Sequence, residues 1–272
     1  MPFTVAHTVA VIPLLKYLGK FGALSALIIG SMTPDFAYLT PYLVHQRFES
    51  HSLLGVYLFA IPMGLTIYFL YHLLMAPVIV SILPNALQKH LHPDLFIGRL
   101  PDIPAYTLIF SLVLGALTHI GWDFFTHFYG APQYIPSMAV PLTSIDGYDI
   151  MPYRVLQHSS TLFGMALLTF WIWTWYSKRK TNQPSTLLTK RWLAPSYLKK
   201  LSFILLFGVP LFVGILSGIM EMPETDVLNG MYSKQKFLSG AILAWAKTFI
   251  VSTALLGLLY QYRIYKDKSH HS

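Results

Sequence analysis

Residues 104–127 read PAYTLIFSLVLGALTHIGWDFFTH, and this stretch decides the fold. It holds no Lys or Arg, and its only acid is Asp123, near its end. A helix needs about 20 mostly apolar residues to cross the hydrocarbon core of a bilayer. Four more stretches meet that test, at about 52–75, 156–176, 201–220 and 237–262. A sixth apolar region, 9–31, is interrupted by Pro13, Lys16, Gly19, Lys20 and Gly22. It reads as two short helices, a re-entrant hairpin in outline, with one tilted span as the alternative. Met1–His7 has no basic leader and no clear cleavage motif follows, so a cleavable signal peptide is not expected.

The composition agrees. Of 272 residues, 54% are hydrophobic and 11% charged, with mean hydropathy +0.53. Soluble domains carry roughly 25% charged residues, so this chain has too few to coat a soluble globule. The absence of Cys excludes disulfides, Cys-based metal sites and thiol nucleophiles. The net charge of +8 does not point to nucleic acid, because the basic residues cluster at the ends of apolar runs. The expected fold is therefore all-α, a polytopic transmembrane bundle of about five spans plus an N-terminal hairpin of short helices. Pro62 and Pro210 lie inside spans and are expected to kink them.

Lys and Arg in short loops report the cytoplasmic side. Residues 177–200 hold Lys178, Arg179, Lys180, Lys190, Arg191, Lys199 and Lys200 without an acid. That loop is expected in the cytoplasm, with the C-terminal tail carrying Arg263, Lys266 and Lys268. The acidic turn with Glu221, Glu224 and Asp226 then faces outward. Counting back puts 129–154 outside and 76–103 inside. The chain divides by role into a His-rich membrane part (1–176), the basic loop (177–200) and a plainer two-helix segment (201–272).

Ionisable side chains in spans are costly and mark sites. The orientation from Lys and Arg places His51, His119, Asp123, His127 and His158 together at outer span ends. Asp35 follows the second short helix and His7 precedes the first. His119 and Asp123 are four residues apart, on one helix face, and can grip one cation. His127 continues that register and reads equally as an interfacial residue. Imidazole with carboxylate suits zinc, or manganese or iron if further oxygen ligands join. One Asp can instead serve as acceptor for a ligating His. The plainer reading of His119 with Asp123 is a hydrogen bond between helices. His72, His90 and His92 read as lone interfacial residues. Lys247, ten residues into the last span, either snorkels or pairs with an acid in the bundle. No Gly-rich phosphate loop, Gly-x-Ser-x-Gly elbow or basic–aromatic stretch is present.

Several motifs, taken in order, carry a resemblance. They are Met1-Pro2-Phe3-Thr4 with His7, then Gly30-Ser31-Met32-Thr33-Pro34-Asp35-Phe36, then His51-Ser52-Leu53-Leu54-Gly55. Thr118-His119 with Trp122-Asp123, Phe125-Thr126-His127 and Gln157-His158-Ser159 follow. In order and spacing they resemble an uncharacterised bacterial membrane family, domain-of-unknown-function family 4184, over residues 1–176. That family is similar, more distantly, to the inner-membrane metal-dependent hydrolases. Those in turn resemble the zinc-dependent phospholipase C and single-strand nuclease group. The resemblance implies metal ligands at His7, Asp35, His51, His119, Asp123 and His158, with Asp35 or Asp123 as general base. The soluble enzymes end in His-x-x-x-Glu, whereas Leu162 stands four residues after His158 here. The departure implies one or two metals rather than three.

The expectation is thus a multi-pass inner-membrane protein holding a divalent metal, zinc first. It would act as a hydrolase on a lipid-linked or envelope phosphoester, with the lipid bilayer as its partner and no nucleic acid. A metal or proton transporter using the same residues is the first alternative. A non-catalytic membrane protein whose His–Asp cluster staples helices is the second.

Overall fold

The computed structural model describes residues 4–40, 50–88, 90–91, 98–145, 148–178, 196–221 and 230–269. Among the described residues, the regular structure is helical apart from one small ribbon. Three short helices come first: α1 (Thr8–Val11), α2 (Leu14–Leu18) and α3 (Leu24–Met32). Five helices long and apolar enough to cross a membrane follow: α4 (Leu53–Ile82), α5 (Ala105–Thr126), α6 (Pro152–Lys178), α7 (Lys200–Met220) and α8 (Lys236–Arg263). This is a multi-pass membrane protein. Between α5 and α6, β1 (Thr143–Ile145) pairs antiparallel with β2 (Tyr148–Ile150), a ribbon the periodicity did not foretell.

The interrupted N-terminal region is broken where its sequence demands. Pro13 ends α1, and Gly19, in the left-handed region at φ +53°, ends α2. A 3₁₀ stretch, Thr33–Leu39, continues α3 and carries Asp35.

Each proline inside a span is met in the same way. Pro62, Pro77 and Pro210 each lie two residues beyond a π-helical turn, at Val56–Ala60, Tyr71–Met75 and Ile204–Gly208. Proline has no N–H, and its ring clashes with the carbonyl four residues back. A wider i→i+5 turn makes room for the ring without ending the helix. This explains why α4 runs on to Ile82, past Pro77, where the sequence suggested a stop near residue 75. The Leu73 carbonyl, which Pro77 cannot bond, accepts the Gln261 side-chain amide at 3.0 Å.

Two compact units form. One contains Met1–Tyr68 and Asp102–Lys178, the other Phe69–Pro101 and Arg179–Ser272, so α4 contributes to both. In the first unit, α3 crosses α5 with backbones nearly touching. A Cβ on Gly30 would overlap the Leu112 carbonyl, and one on Gly115 the Leu27 carbonyl. The Ala23 N–H donates to Ser111 Oγ (3.0 Å), tying the start of α3 to α5. In the second unit, α7 crosses α8 through Gly214 and Gly218. A Cβ there would lie 2.8 Å from the Ala241 carbonyl and 2.7 Å from that of Phe237. Such small-residue crossings let helices in lipid gain packing contact. Val78, Leu206 and Leu256 form a buried apolar cluster in this second unit.

Candidate metal centre

The α3–α5 crossing sets the position of the site. Gly115 admits the backbone of α3, and one turn later on the same face stands His119. Its Nδ1 lies 2.7 Å from the carbonyl of Ser31, on α3, and that contact is buried. A carbonyl only accepts, so Nδ1 carries the hydrogen. In the neutral ring the lone pair is then on Nε2, which points the other way. His119 is fully buried, and its Nε2 has no hydrogen-bond partner.

Three more side chains meet that nitrogen. Asp123, one turn further along α5, brings Oδ2 to 3.5 Å, and Asp35 brings Oδ1 to 3.7 Å. His51 Nε2 lies 3.5 Å from the same Asp35 oxygen and 3.4 Å from the same Asp123 oxygen. His51 is aimed by its neighbours. Ser50 Oγ hydrogen bonds with its Nδ1 at 2.9 Å, and Ser52 caps α4, accepting the Gly55 N–H at 2.9 Å. Asp35 is held through its other oxygen, which accepts from Thr4 Oγ1 at 2.7 Å. One ligand atom each from Asp35, His51, His119 and Asp123 lies within 4.8 Å of the other three.

This donor set fits a metal ion. Two carboxylates and a nitrogen lone pair turned toward one another repel unless a cation or a proton lies between them. Bonds of about 2.0–2.1 Å in a tetrahedron put neighbouring ligand atoms about 3.3–3.4 Å apart. The four nitrogen–oxygen separations of 3.4–3.7 Å come close to that, and all the ligand atoms lie within 4.8 Å of one another. The backbone carbonyl behind His119 is the acceptor a ligating imidazole needs to fix its tautomer. A divalent ion would also balance the two carboxylates. The four residues can hold a metal ion.

His7 and His127 flank the set through the second oxygen of Asp123. His7 stacks on His119 with ring centroids 4.0 Å apart, and its Nε2 is 3.5 Å from Asp123 Oδ1. His127 Nδ1 is 3.4 Å from that same oxygen. The Gln157 amide donates to His127 Nε2 at 3.3 Å, so the His127 hydrogen sits on Nδ1, toward Asp123. His127 Nδ1 therefore carries a hydrogen rather than a lone pair, and it donates to the Asp123 backbone carbonyl at 3.3 Å, close to the carboxylate. Outside the spans, two titrations move apart. Burial, together with the charge of His119, pushes His7 down to about 4, against the pull of Asp123 and Asp35. Burial also acts downward on His51, but the Asp123 and Asp35 carboxylates outweigh it and hold His51 above its ordinary value.

The family model described as "Domain of unknown function (DUF4184)" matches residues 1–261. The chain belongs to the DUF4184 family. No curated protein and no solved structure matches it. In this DUF4184 chain the match extends beyond the motifs of residues 1–176 to include α7 and most of α8.

The sequence expectation for His158 needs correction. His158 is exposed on α6 and is not part of the four-residue set. The inward line of α6 is Tyr153, Gln157 and Gly164, all buried, with Gly164 against Ala6 beside His7. His158 comes one residue after Gln157, about 100° round the helix. The resemblance implies a metal ligand at His158; on this turn of α6 it is Gln157 that faces inward, and it contacts His127. Lys247 is exposed on α8, in the second unit. His72 and His90 also belong to that unit, while His45 and His92 lie outside the described residues. No individual role follows from sequence reasoning for Thr4, Ser31, Ser50 or Gln157. Only Gln157 left a signal, a polar residue four after Tyr153 and seven before Gly164. The Ser31 contribution is a backbone carbonyl, which no side-chain pattern records.

Proposed function

We propose that this DUF4184 protein is a membrane-embedded, metal-dependent hydrolase, with zinc as its ion and a lipid-linked or envelope phosphoester as its substrate. The observation that carries the reading is the buried His119 Nε2, its tautomer set by Ser31, turned toward two carboxylates and a second imidazole. A donor set of two nitrogens and two oxygens favours zinc over the hard, oxygen-preferring cations. A divalent ion held there would polarise a phosphoryl or ester oxygen and bring the pKa of a water molecule to about 7. The chain's own part is to hold and to accept. Asp35, steadied by Thr4, and His51, steadied by Ser50, keep the geometry. Asp123 Oδ1, outside the four-atom set, is the acceptor for the proton that the attacking water gives up. His127 and His7 beside it orient that carboxylate. The resemblance to the inner-membrane hydrolases supports the same class.

Turnover tests this directly. The protein in lipid nanodiscs should release phosphate or alcohol from simple phosphodiesters and phosphatidic acid. A chelator should abolish that release, zinc should restore it, and His119→Ala should lack it. Stoichiometric metal without turnover on any phosphoester would contradict the hydrolase. If metal flux into proteoliposomes accompanied that result, the transporter would replace it. The proline-associated π turns in α4 and α7 are the observation that favours transport.

We further propose that the site faces the outer leaflet of the inner membrane and that the C-terminus is cytoplasmic. The basic loop 177–200, mostly outside the described residues, supports that side. Because the chain has no Cys, Ser137→Cys and Ser185→Cys give single labels. An impermeant reagent on intact cells should reach position 137 and not 185. The reverse pattern would overturn the orientation.

A further inference from the structure

The segment joining α5 to α6 is unlike a loop that projects into water. Its ends are fixed to the same membrane face, because α5 ends at Thr126 and α6 begins at Pro152. That is also the face of the metal centre, since Asp123 and His127 stand at the end of α5. The chain folds back onto that end at once. A Cβ on Gly130 would overlap the Phe124 carbonyl, and Ala131 is fully buried. The short helix Pro136–Ala139 then packs against α6. The Leu142 N–H donates to the Ile150 carbonyl at 2.9 Å, extending the β1–β2 ribbon.

Held down in this way, the segment turns apolar side chains outward. Tyr134 is 77% exposed, Tyr129 and Leu142 65%, Val140 60% and Ile145 55%. Fully burying one large aliphatic side chain is worth about 1.5–3 kcal/mol, so a row of them facing water is costly. Large apolar side chains left exposed together on one connection mark a place where something docks. Residues 127–151 hold no Lys or Arg, so attraction to acidic groups is not what attaches them. The spans on either side bring lipid head groups to this height whatever else is present. Tyrosine is a preferred side chain at that depth.

We propose that the α5–α6 connection lies in the interfacial layer of the bilayer, its exposed Tyr, Val, Leu and Ile side chains seated in lipid beside the metal centre. The segment acts as an amphipathic in-plane element of the kind that binds by buried apolar area. This inference goes beyond the hydrolase reading and does not depend on it.

Single cysteines at Tyr134, Leu142 and Ile145, each carrying an environment-sensitive fluorophore, test it in the full chain in nanodiscs. Leu211→Cys, on the exposed lipid-length helix α7, calibrates a hydrocarbon position. Ser185→Cys calibrates water. Each variant is first checked to be monodisperse. The expected result is blue-shifted emission at all three positions, strong quenching by nitroxide-labelled lipid and weak quenching by aqueous iodide. Quenching by iodide to the level of position 185 would overturn the proposal, placing the segment in water. Protection from both quenchers would overturn it equally, because a protein surface would then be the occupant. Energy transfer between labelled copies would identify that surface as a second copy of this chain.

Discussion

The two units use one packing device for different ends. In the first, Gly30 and Gly115 let α3 and α5 approach until the Ser31 carbonyl reaches His119. In the second, Gly214 and Gly218 bring α7 to the backbone of α8, beside the buried apolar cluster of Val78, Leu206 and Leu256. Close approach is a packing solution in both. Among the described residues, only in the first unit does it also place a buried imidazole against two buried carboxylates. Small residues at a membrane crossing are thus not a sign of a site. The sign is the ionisable group one turn beyond.

The largest expected effect separates these two crossings. Gly115→Val would drive a side chain into the Leu27 carbonyl, and Gly218→Val into that of Phe237. Backbone cannot give way as a side-chain tip can, so each should cost about 3 kcal/mol, the upper end for overpacking. Thermal unfolding in detergent reads both. The folded fraction of Gly115→Val should also lose metal affinity, because Ser31 is pushed from His119. That of Gly218→Val should keep it. Equal retention in both would uncouple the crossing from the site.

Thr4→Val comes next. It preserves shape and removes the hydroxyl that holds Asp35 Oδ2. Loss of such outer support costs about 10–100-fold in metal affinity, read by competition with a chelating dye. The same change should leave the melting of the metal-free protein nearly untouched.

A smaller effect follows from pH. In the metal-free protein His51 is held above its ordinary value of 6.5 by Asp123 and Asp35, against its burial. Its folded pKa is raised, so the stability it contributes is fully present below about 6.5 and is lost as pH rises through the folded value. Metal binding runs the other way, because the ion displaces that proton. Affinity should climb with pH by up to about tenfold per unit for one proton, and level off once pH passes the raised value of His51. Calorimetry in two buffers of different ionisation heat should show about one proton released. An affinity flat across this window would remove His51 from the ligand set.

His158→Ala is the smallest. The side chain is exposed on α6, and substitutions at such places change stability by no more than about 0.5 kcal/mol. Metal content and melting should both match the wild type. A loss of metal would return His158 to the site.

Much of this was legible in the sequence. The five spans follow from apolar runs, which need only length. The pairing of His119 with Asp123 follows from a spacing of four on a helix that the runs had already defined. Asp35 and His51 were found because ionisable groups beside spans are expensive and therefore few. His158 was misplaced because a motif fixes chain order, whereas one residue of helical phase decides which side chain faces in. Contacts between elements, such as Gly164 on Ala6 and Gln157 with His127, set that phase. The π turns ahead of Pro62, Pro77 and Pro210 were hidden for a related reason. Proline announces a conflict with the preceding turn, and the way the helix resolves it depends on its neighbours.

The central claim is that Asp35, His51, His119 and Asp123 hold one metal ion. Elemental analysis of the purified wild type and of His119→Ala, both monodisperse, addresses it most directly. The expected result is about one zinc per wild-type chain, with His119→Ala folded and metal-free. Equal metal content in the two preparations, or a folded wild type that takes up no divalent ion when zinc is supplied, would contradict it.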